Sequence, residues 1–314
     1  MKRQEILNRL PFPVPKAAKI RVIVDTDAKN EADDQFAIVH HLLSPSFDVR
    51  GIIAAHFEQK NRYAGGSMER SFREIEELLT LAEIDDVPAL RGCAMPLKHP
   101  QDVPGSEGVD FLIREARRAD SRPLFIAVQG AMTNVAAALN KAPDIADKIT
   151  VLWNGGGPYP AGRPEFNVMQ DPDAVRVLLG SKAAVWQIPQ NVYAALEVTL
   201  SEIAWKIAPC GRLGGYLLEQ LAQNNLEEFN PHFLLRTGEN WTLGDNTTVA
   251  VLLENRFRNH WYEAPAPILK DDLTYQVNPH GKPIRIYTDL DVRMALEDLF
   301  SKMNLVYGSP AGRQ

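Results

Sequence analysis

Residues 20–34 read IRVIVDTDAKNEADD, an apolar, β-branched run that leads directly into a group of carboxylates. The run at 19–25 is typical of a buried strand. Residues at helical spacing follow the carboxylates, at Phe36, Val39, His40 and Leu43. The beginning of the chain therefore predicts a strand, an acidic loop and a helix.

The same alternation continues along the chain. Further strands are predicted at 49–56, 87–90, 124–128, 148–153, 184–188 and 284–287, and helices at 72–82, 134–139, 172–179, 201–208, 213–223, 246–254 and 291–303. This order predicts an α/β fold: a mostly parallel open sheet flanked by helices, with a Rossmann-like core and a more helical C-terminal half. No linker-like stretch interrupts the pattern, so residues 1–314 are expected to form a single domain.

Composition narrows the classes of function. The chain has 314 residues, of which 45% are hydrophobic, and its 34 Lys and Arg against 40 Asp and Glu give a net charge of −6. Such a balance argues against nucleic-acid binding, which needs a basic face, but it permits a small neutral or cationic ligand or a metal ion. The chain has two cysteines and shows neither a secretory signal nor an apolar stretch suited to a membrane. These features predict a cytoplasmic protein without a membrane partner.

The acidic loop is the strongest functional signal. Asp25, Asp27, Asp33 and Asp34 lie within ten residues, after the first predicted strand. Ligands of open α/β sheets bind beyond the carboxyl ends of the strands. Carboxylates held close together there stay ionised only around a cation, and calcium accepts six to eight oxygen ligands. The alternative is that Asp33 or Asp34 caps the following helix and the others face water.

Two later segments carry weaker signals. Glu165 and Asn167 could point the same way from an extended loop and offer hydrogen-bond groups to sugar hydroxyls, although loops commonly contain both residue types. Asp245 precedes an apolar helix, where it is either a helix N-cap or a ligand of the same cation. The residues around Asp245 leave both interpretations open.

Together these motifs resemble the inosine/uridine-preferring nucleoside hydrolases, a family of ribonucleoside N-glycosidases. The resemblance rests on Asp-Thr-Asp at 25–27, Asp-Asp at 33–34, Gly-Ala-Met-Thr-Asn at 130–134, Gly-Gly at 155–156, Glu-Phe-Asn at 165–167 ahead of Asp-Pro at 171–172, and Asp245. The matches follow the family's order from about residue 20 to 255, which is most of the chain.

The resemblance implies a role for each matching residue. The carboxylates of Asp27, Asp34 and Asp245 and the main-chain carbonyl of Met132 would bind Ca²⁺. With these roles, five aspartates are expected to converge on one crevice at the strand ends: Asp25, Asp27, Asp33, Asp34 and Asp245. Asp33, Glu165 and Asn167 would bind ribose hydroxyls, and Asp27 would be the general base that takes a proton from a calcium-bound water. The implied substrate is a nucleoside or related riboside, and the implied assembly is a homodimer or homotetramer.

The sequence departs from the family pattern in three places. Five residues, 28–32, separate the two acidic motifs where the family has three, and Lys29 among them could partly neutralise the cluster or reach into the pocket. Glu58, with His56 close by, falls where the family has an Asn. Gly244 stands where the family has a His that helps the leaving base depart, so His232 and Trp241 become candidates for contacting that base.

Two rival functions follow from these residues. A member of the family that binds a riboside without cleaving it is consistent with Gly244. A metal-dependent phosphohydrolase is the second, since Asp-x-Asp after a strand also serves phosphoryl transfer, but that chemistry requires basic residues to clamp phosphate and Lys29 is the only one nearby.

Overall fold

The computed structural model describes residues 1–228, 238–254, 256–258 and 260–309. Its strands are β1 (Ile20–Thr26), β2 (Phe47–Ala54), β3 (Ala89–Arg91), β4 (Leu124–Val128), β5 (Ile149–Asn154), β6 (Ala184–Ile188), β7 (Glu197–Thr199), β8 (Asn240–Thr242), β9 (Trp261–Pro265), β10 (Ile268–Leu269), β11 (Tyr275–Gln276) and β12 (Pro283–Tyr287). Its helices are α1 (Arg3–Leu7), α2 (Asp34–Leu43), α3 (Ser67–Leu81), α4 (Glu107–Arg117), α5 (Thr133–Lys141), α6 (Phe166–Gln170), α7 (Pro172–Gly180), α8 (Gln190–Tyr193), α9 (Leu200–Lys206), α10 (Gly211–Glu228), α11 (Thr247–Leu253) and α12 (Val292–Tyr307).

Eight strands form one sheet in the order β3-β2-β1-β4-β5-β6-β12-β9. All neighbouring pairs are parallel except β12 and β9, which are antiparallel at the sheet edge. Buried apolar side chains pack in two clusters, one against each face of this sheet. The predicted fold class, a mostly parallel sheet flanked by helices, is confirmed. That residues 1–314 form one domain stays a prediction.

The central strands explain why the sheet is buried on both faces. Val22, Ile23 and Val24 of β1 are fully buried, and every residue of β4 is buried as well. A parallel strand covered by helices on both sides needs this unbroken apolar run, because neither of its faces meets water. The β-branched run at 20–24 therefore lies in the interior of the sheet, between β2 and β4.

Most strand and helix predictions match within a few residues, but several elements were missed, among them α4, β9 and the short helices and strands. Helix α4 carries its apolar residues at helical spacing and is capped by Ser106, whose side chain accepts the Val109 N–H, so its signal was available in the sequence. Strand β9 ends in Pro265 and, among the described strands, pairs only with β12. Proline is tolerated at such an edge, and this made the strand hard to predict.

The strand order creates a crevice between β1 and β4. From β1 the chain moves outward through β2 and β3, then returns to place β4 on the other side of β1. The loops that leave β1 and β4 thus diverge at their carboxyl ends, which is the topological switch point where open α/β sheets bind ligands. No helix within the described ranges is long and apolar enough to cross a bilayer.

Candidate active site

A cleft of about 300 Å³ lies at this switch point, beyond the carboxyl ends of β1, β4 and β5. It is lined by Asp27, Asn30, Glu31, Asp33, Asp34, Gln129, Asn154, Glu165, Phe166, Asn167, Gln190, Tyr193, Ala194, Glu197, Trp241, Thr242, Gly244 and Asp245. Segments far apart in sequence therefore meet in one polar site. Four of the five aspartates expected to converge line the cleft. The fifth, Asp25, does not line it and accepts a hydrogen bond from the Asn134 side chain at 3.0 Å.

The acidic loop is held by hydrogen bonds and not by helix capping. Asp33 occupies the N-cap position of α2 but makes no capping bond with its side chain. Instead its Oδ2 accepts the backbone N–H of Asp245 at 3.2 Å, and the Thr26 hydroxyl donates to Asp34. The capping alternative for this pair is therefore wrong, and their carboxylates face Asp245.

Burial makes this group of carboxylates electrostatically costly. Asp27, Asp34 and Asp245 are at most 4% exposed, whereas Asp33 is partly exposed. Burial raises the pKa of Asp34 to about 7. Burial followed by the negative charges of its acidic neighbours raises the pKa of Asp27 and of Asp245 well above the usual range. A nearby cation would reverse these shifts, since it favours the charged form of each carboxyl group.

Asp27 is the most exceptional of these side chains. Both of its carboxylate oxygens are buried and have no hydrogen-bond partner. The backbone at Gly130, which follows β4, approaches it so closely that a Cβ there would lie 2.8 Å from its Cγ and 3.0 Å from its Oδ1. Buried charges are normally paired or bound to metal. Asp27 is thus fixed in position by packing, with its oxygens left for a group from outside the chain.

Asp245 is tied to the end of β5. The Asn154 side chain donates to its Oδ1 at 2.8 Å and accepts from the Thr247 hydroxyl at 2.9 Å. Asp245 lies in a short 3₁₀ turn before α11, and neither this turn nor α11 is capped by its side chain. The N-cap interpretation of Asp245 is therefore wrong, and its carboxylate takes part in the acidic cluster.

Glu165 and Asn167 line the cleft, and their side chains form hydrogen bonds with the segments around it. Glu165 caps α6, because its Oε2 accepts the N–H groups of Gly156 at 2.8 Å and Val168 at 3.1 Å. Its Oε1 accepts the hydroxyl of Tyr193 at 2.8 Å. The Asn167 amide donates to the carbonyl of Asn154 at 2.9 Å. Burial raises the pKa of Glu165 and of Tyr193.

The described residues contain an aspartate cluster that could bind a metal ion. Asp33, Asp34 and Asp245 offer oxygens that all lie within 4.8 Å of one another. Asp27 lines the same cleft but does not belong to that set. The Met132 carbonyl accepts the N–H of Ala136 at 3.0 Å at the start of α5, and Met132 does not line the cleft. Its assignment as a ligand stays a prediction.

The longer acidic loop keeps its lysine away from the cleft. Lys29 forms an ion pair with Glu74 of α3 at 3.0 Å and does not line the cleft. The expectation that it reaches the pocket is therefore wrong, because the buried Glu74 carboxylate holds its ammonium group outside the cleft lining. Asn30 and Glu31 of the same loop do line the cleft.

His56 and Glu58, the two candidates for the family's Asn position, lie outside the cleft lining. Ring Nε2 of His56 bonds the Thr133 hydroxyl at 2.8 Å, and that hydroxyl donates to Asp171 at 2.6 Å. Glu58 accepts the N–H groups of Gly65 and of the first residue of α3, each at 2.8 Å. Both side chains therefore support loops around the site. Asp171 is the N-cap of α7, and this agrees with the predicted start of that helix at residue 172.

Of the two candidates for contacting a leaving base, the structure describes only Trp241. Trp241 of β8 lines the cleft and is 4% exposed. His232 lies outside the described residues. Gly244 faces Tyr193, whose ring carbon Cδ2 would be 3.1 Å from a Cβ at Gly244.

Two further cleft residues, Gln129 and Asn154, directly follow predicted strands, where open α/β sheets bind ligands, but the sequence assigned them no role. Tyr193 sits on the four-residue helix α8 and carried no such signal.

The fold and the cleft define an α/β protein with a carboxylate-rich, candidate metal-dependent site at its switch point. The sequence model of the inosine-uridine preferring nucleoside hydrolases matches residues 22–297, so the chain belongs to this family. The resemblance stated from the sequence is confirmed.

Individual relatives agree with this assignment. The pyrimidine-specific ribonucleoside hydrolase RihA of Salmonella dublin is 29% identical over 203 residues, 57% of this chain and 60% of the relative. The match thus spans about three fifths of the length of that curated relative. The purine-preferring ribonucleoside hydrolase from Gardnerella vaginalis superposes with a TM-score of 0.73 at 22% identity, over 91% of this chain and 99% of that one. The type III effector protein XopQ, complexed with adenosine diphosphate ribose, superposes with a TM-score of 0.68 at 15% identity over 98% of both chains. These superpositions show a shared fold.

Proposed function

We propose that the protein hydrolyses the N-glycosidic bond of a ribonucleoside or related riboside, using a divalent cation. The observation that carries this proposal is the buried Asp27 carboxylate, which has no partner and faces a cleft shared with three further aspartates. Membership of the nucleoside hydrolase family supports it. The absence of Lys and Arg among the described cleft residues counts against a phosphohydrolase, because phosphate needs such a clamp.

The donor set fits a hard cation. Asp27, Asp34 and Asp245 are the buried carboxylates of the cleft's acidic cluster, and no described basic side chain lines the cleft beside them. We propose that these three residues hold Ca²⁺, which prefers oxygen ligands, while the more exposed Asp33 remains available to the sugar. When bound, such an ion supplies positive charge that lowers the pKa of water and orients sugar hydroxyls.

The chain's own residues then account for the chemistry. Asp33, Glu165 and Asn167 are proposed to bind ribose hydroxyls. Breaking the bond between the anomeric carbon and nitrogen develops positive charge on the sugar, which the carboxylates stabilise more than they stabilise a neutral substrate. Asp27 accepts the proton of the attacking water, since its unpaired oxygens face the cleft. The products are free ribose and the base.

The proposal is tested by incubating inosine, uridine, cytidine and adenosine with the purified protein and measuring reducing sugar in phosphate-free buffer. We expect ribose release that depends on a divalent cation and falls at least 100-fold in Asp27→Asn. Asp110→Asn is the matched control, because Asp110 is paired with Lys141 on the surface. A protein that binds ribosides tightly but releases no sugar would establish the non-catalytic rival.

Two further expectations from the sequence stay predictions. These are the cytoplasmic location and the homodimer or homotetramer. Gel filtration with light scattering measures the assembly directly.

A further inference from the structure

A second cavity, of about 460 Å³, lies at the amino ends of β1 and β4, whereas the acidic cleft lies beyond their carboxyl ends. Its lining includes Ile20, the first residue of β1, and Pro123, which directly precedes β4. The linings of the cavity and the cleft have no described residue in common. Small-molecule sites usually have volumes of about 300–1,000 Å³, so this cavity is large enough to bind one.

The wall of this cavity is rich in aromatic side chains. Phe47, Phe125, Trp186, Trp261 and Tyr287 all line it. The ring centroid of Trp186 lies 5.3 Å from that of Phe125 and 6.3 Å from that of Tyr287, so these three rings form one cluster. A further aromatic ring can pack on such a cluster in an offset or edge-to-face arrangement. The wall is therefore suited to a ligand with a flat aromatic body.

An arginine of β12 is held between two of the tryptophans. The guanidinium carbon of Arg285 lies 3.9 Å from the ring centroid of Trp186 in β6 and 3.7 Å from that of Trp261 in β9. Each ring face attracts the cation, and the two rings together fix its position. The N–H groups of a guanidinium lie in its plane, so they point away from rings stacked on its faces. The stacking thus leaves these donors for a hydrogen-bond acceptor at the edge of the group.

The described part of the chain provides no acceptor for this guanidinium. The Nε of Arg285 is buried and makes no hydrogen bond, and the side chain forms no ion pair with any described residue. Glu263 lies opposite Arg285 in the strand pair of β9 and β12, but it does not line the cavity. Arg285 is only partly buried, so a ligand in the cavity can reach its outer N–H groups. Buried arginines normally have acceptors, and a ligand oxygen would supply one here.

The charged groups of the cavity favour an anion with a single charge. Lys19 lines the cavity with Arg285, and it too forms no ion pair within the described ranges. The carboxylate of the described lining belongs to Glu254, which accepts the backbone N–H of Asp291 and lies 3.4 Å from Nδ1 of His260. Two cationic side chains and one carboxylate leave a surplus of one positive charge, to which His260 adds only when it is protonated. A carboxylate matches this surplus and the planar donors of a guanidinium.

From these observations we propose that this cavity is a second binding site, whose ligand is a small aromatic monocarboxylate. The carboxylate accepts hydrogen bonds from the edge of the Arg285 guanidinium, and Lys19 adds a second positive charge. The aromatic body packs on the cluster around Trp186. The acidic cleft repels an anion of this kind, so the ligand differs in chemistry from the proposed substrate, and the second site does not depend on the hydrolase function.

The test is isothermal titration calorimetry of the full chain with three probes that share one ring system. These are 2-naphthoate, the neutral 2-naphthamide and the doubly charged 2-naphthyl phosphate. Each is titrated into wild-type protein, Arg285→Gln and Lys19→Gln. Arg114→Gln is the matched control, because Arg114 also packs on an aromatic ring, with its guanidinium carbon 5.8 Å from the centroid of Phe111, but does not line the cavity.

We expect 2-naphthoate to bind wild-type protein with a Kd below about 1 mM, and 2-naphthamide to bind at least about tenfold more weakly. Arg285→Gln should weaken naphthoate binding at least about tenfold, and Lys19→Gln about threefold with a smaller effect in high salt. Arg114→Gln should leave the Kd unchanged. Lys19 is partly exposed, so its variant tests the site even where Arg285→Gln is unstable. No saturable binding of 2-naphthoate, or the same Kd in wild type and in both cavity variants, would overturn the proposal. Tighter binding of the phosphate than of the carboxylate would refute the ligand class.

One further variant separates the cavity from the acidic cleft. Asp27→Asn removes a negative charge from the cleft and leaves the cavity lining unchanged, so the Kd of 2-naphthoate should equal that of wild type. Tighter binding in Asp27→Asn, together with wild-type binding in Arg285→Gln, would place the probe in the cleft and overturn the second site.

Discussion

Replacing Gly130 with alanine perturbs the Asp27 carboxylate, the proposed general base, through a single methyl group. An ideal Cβ at this position would lie 2.8 Å from Cγ of Asp27 and 3.0 Å from its Oδ1. Ordinary carbon contacts are about 3.5–4.0 Å, so the Asp27 carboxylate has to move by roughly 0.7–1 Å. A misplacement of about 1 Å in an active site can reduce the rate by about 100-fold.

We therefore expect Gly130→Ala to lower kcat by about 100-fold. Overpacking costs about 1–3 kcal/mol, which corresponds to a Tm decrease of roughly 2–10 °C and leaves the protein folded at 25 °C. The assay is release of reducing sugar together with far-UV circular dichroism and thermal unfolding. Gly105→Ala is the control, because a Cβ there has no atom within 4 Å. A folded Gly130→Ala protein with wild-type kcat would refute the inference that Asp27 must be held in its observed position.

Three other predictions use the same geometry. Asp27→Asn removes a buried, unpaired carboxylate charge. In EDTA the variant should therefore have a Tm about 4 °C above that of wild type, whereas in excess Ca²⁺ it should be less stable than wild type. A Tm below that of wild type in both buffers would contradict this prediction. Burial lowers the pKa of His56 to about 4. As the pH falls below 6.5, the unfolded chain therefore protonates His56 while the folded chain does not. About 3 kcal/mol of the free energy of unfolding should be lost between pH 6.5 and 4. In His56→Gln, the free energy of unfolding measured in urea should depend less on pH, by about that amount. A pH dependence equal to that of wild type would refute the inference that His56 is buried in its neutral form. Tyr193→Phe removes the hydroxyl that donates to Glu165 and should reduce kcat/KM by about tenfold with Tm within a few degrees of wild type; wild-type kinetics would show that this bond does not support the site.

Local patterns in the sequence predicted the sheet and the position of its acidic loop. The apolar run of β1 fixes a buried strand, and its end places Asp27 at the switch point whatever the details of the loops. Asp171 followed by Pro172 was identified as a helix start for the same kind of local reason. The carboxylates of Asp34 and Asp245 could be paired only through the family resemblance, since 211 residues separate them in the chain.

What the sequence could not reveal depends on contacts between distant elements. Lys29 stays out of the cleft lining because Glu74 of α3 forms an ion pair with it. The Tyr193 hydroxyl enters the site because Glu165 accepts it. Asn154 was visible as a strand end, but its role in holding Asp245 depends on how α11 packs against β5. Such partners are set by tertiary packing, which local propensity does not encode.

The central claim is that this acidic cleft hydrolyses the glycosidic bond of ribosides. Proton NMR of inosine and uridine, incubated with the calcium-loaded protein in phosphate-free buffer, tests it most directly. Free ribose and free base should appear in equal amounts, and the reaction should stop in Asp27→Asn. Intact ribosides after prolonged incubation with a folded, calcium-containing protein would contradict the account.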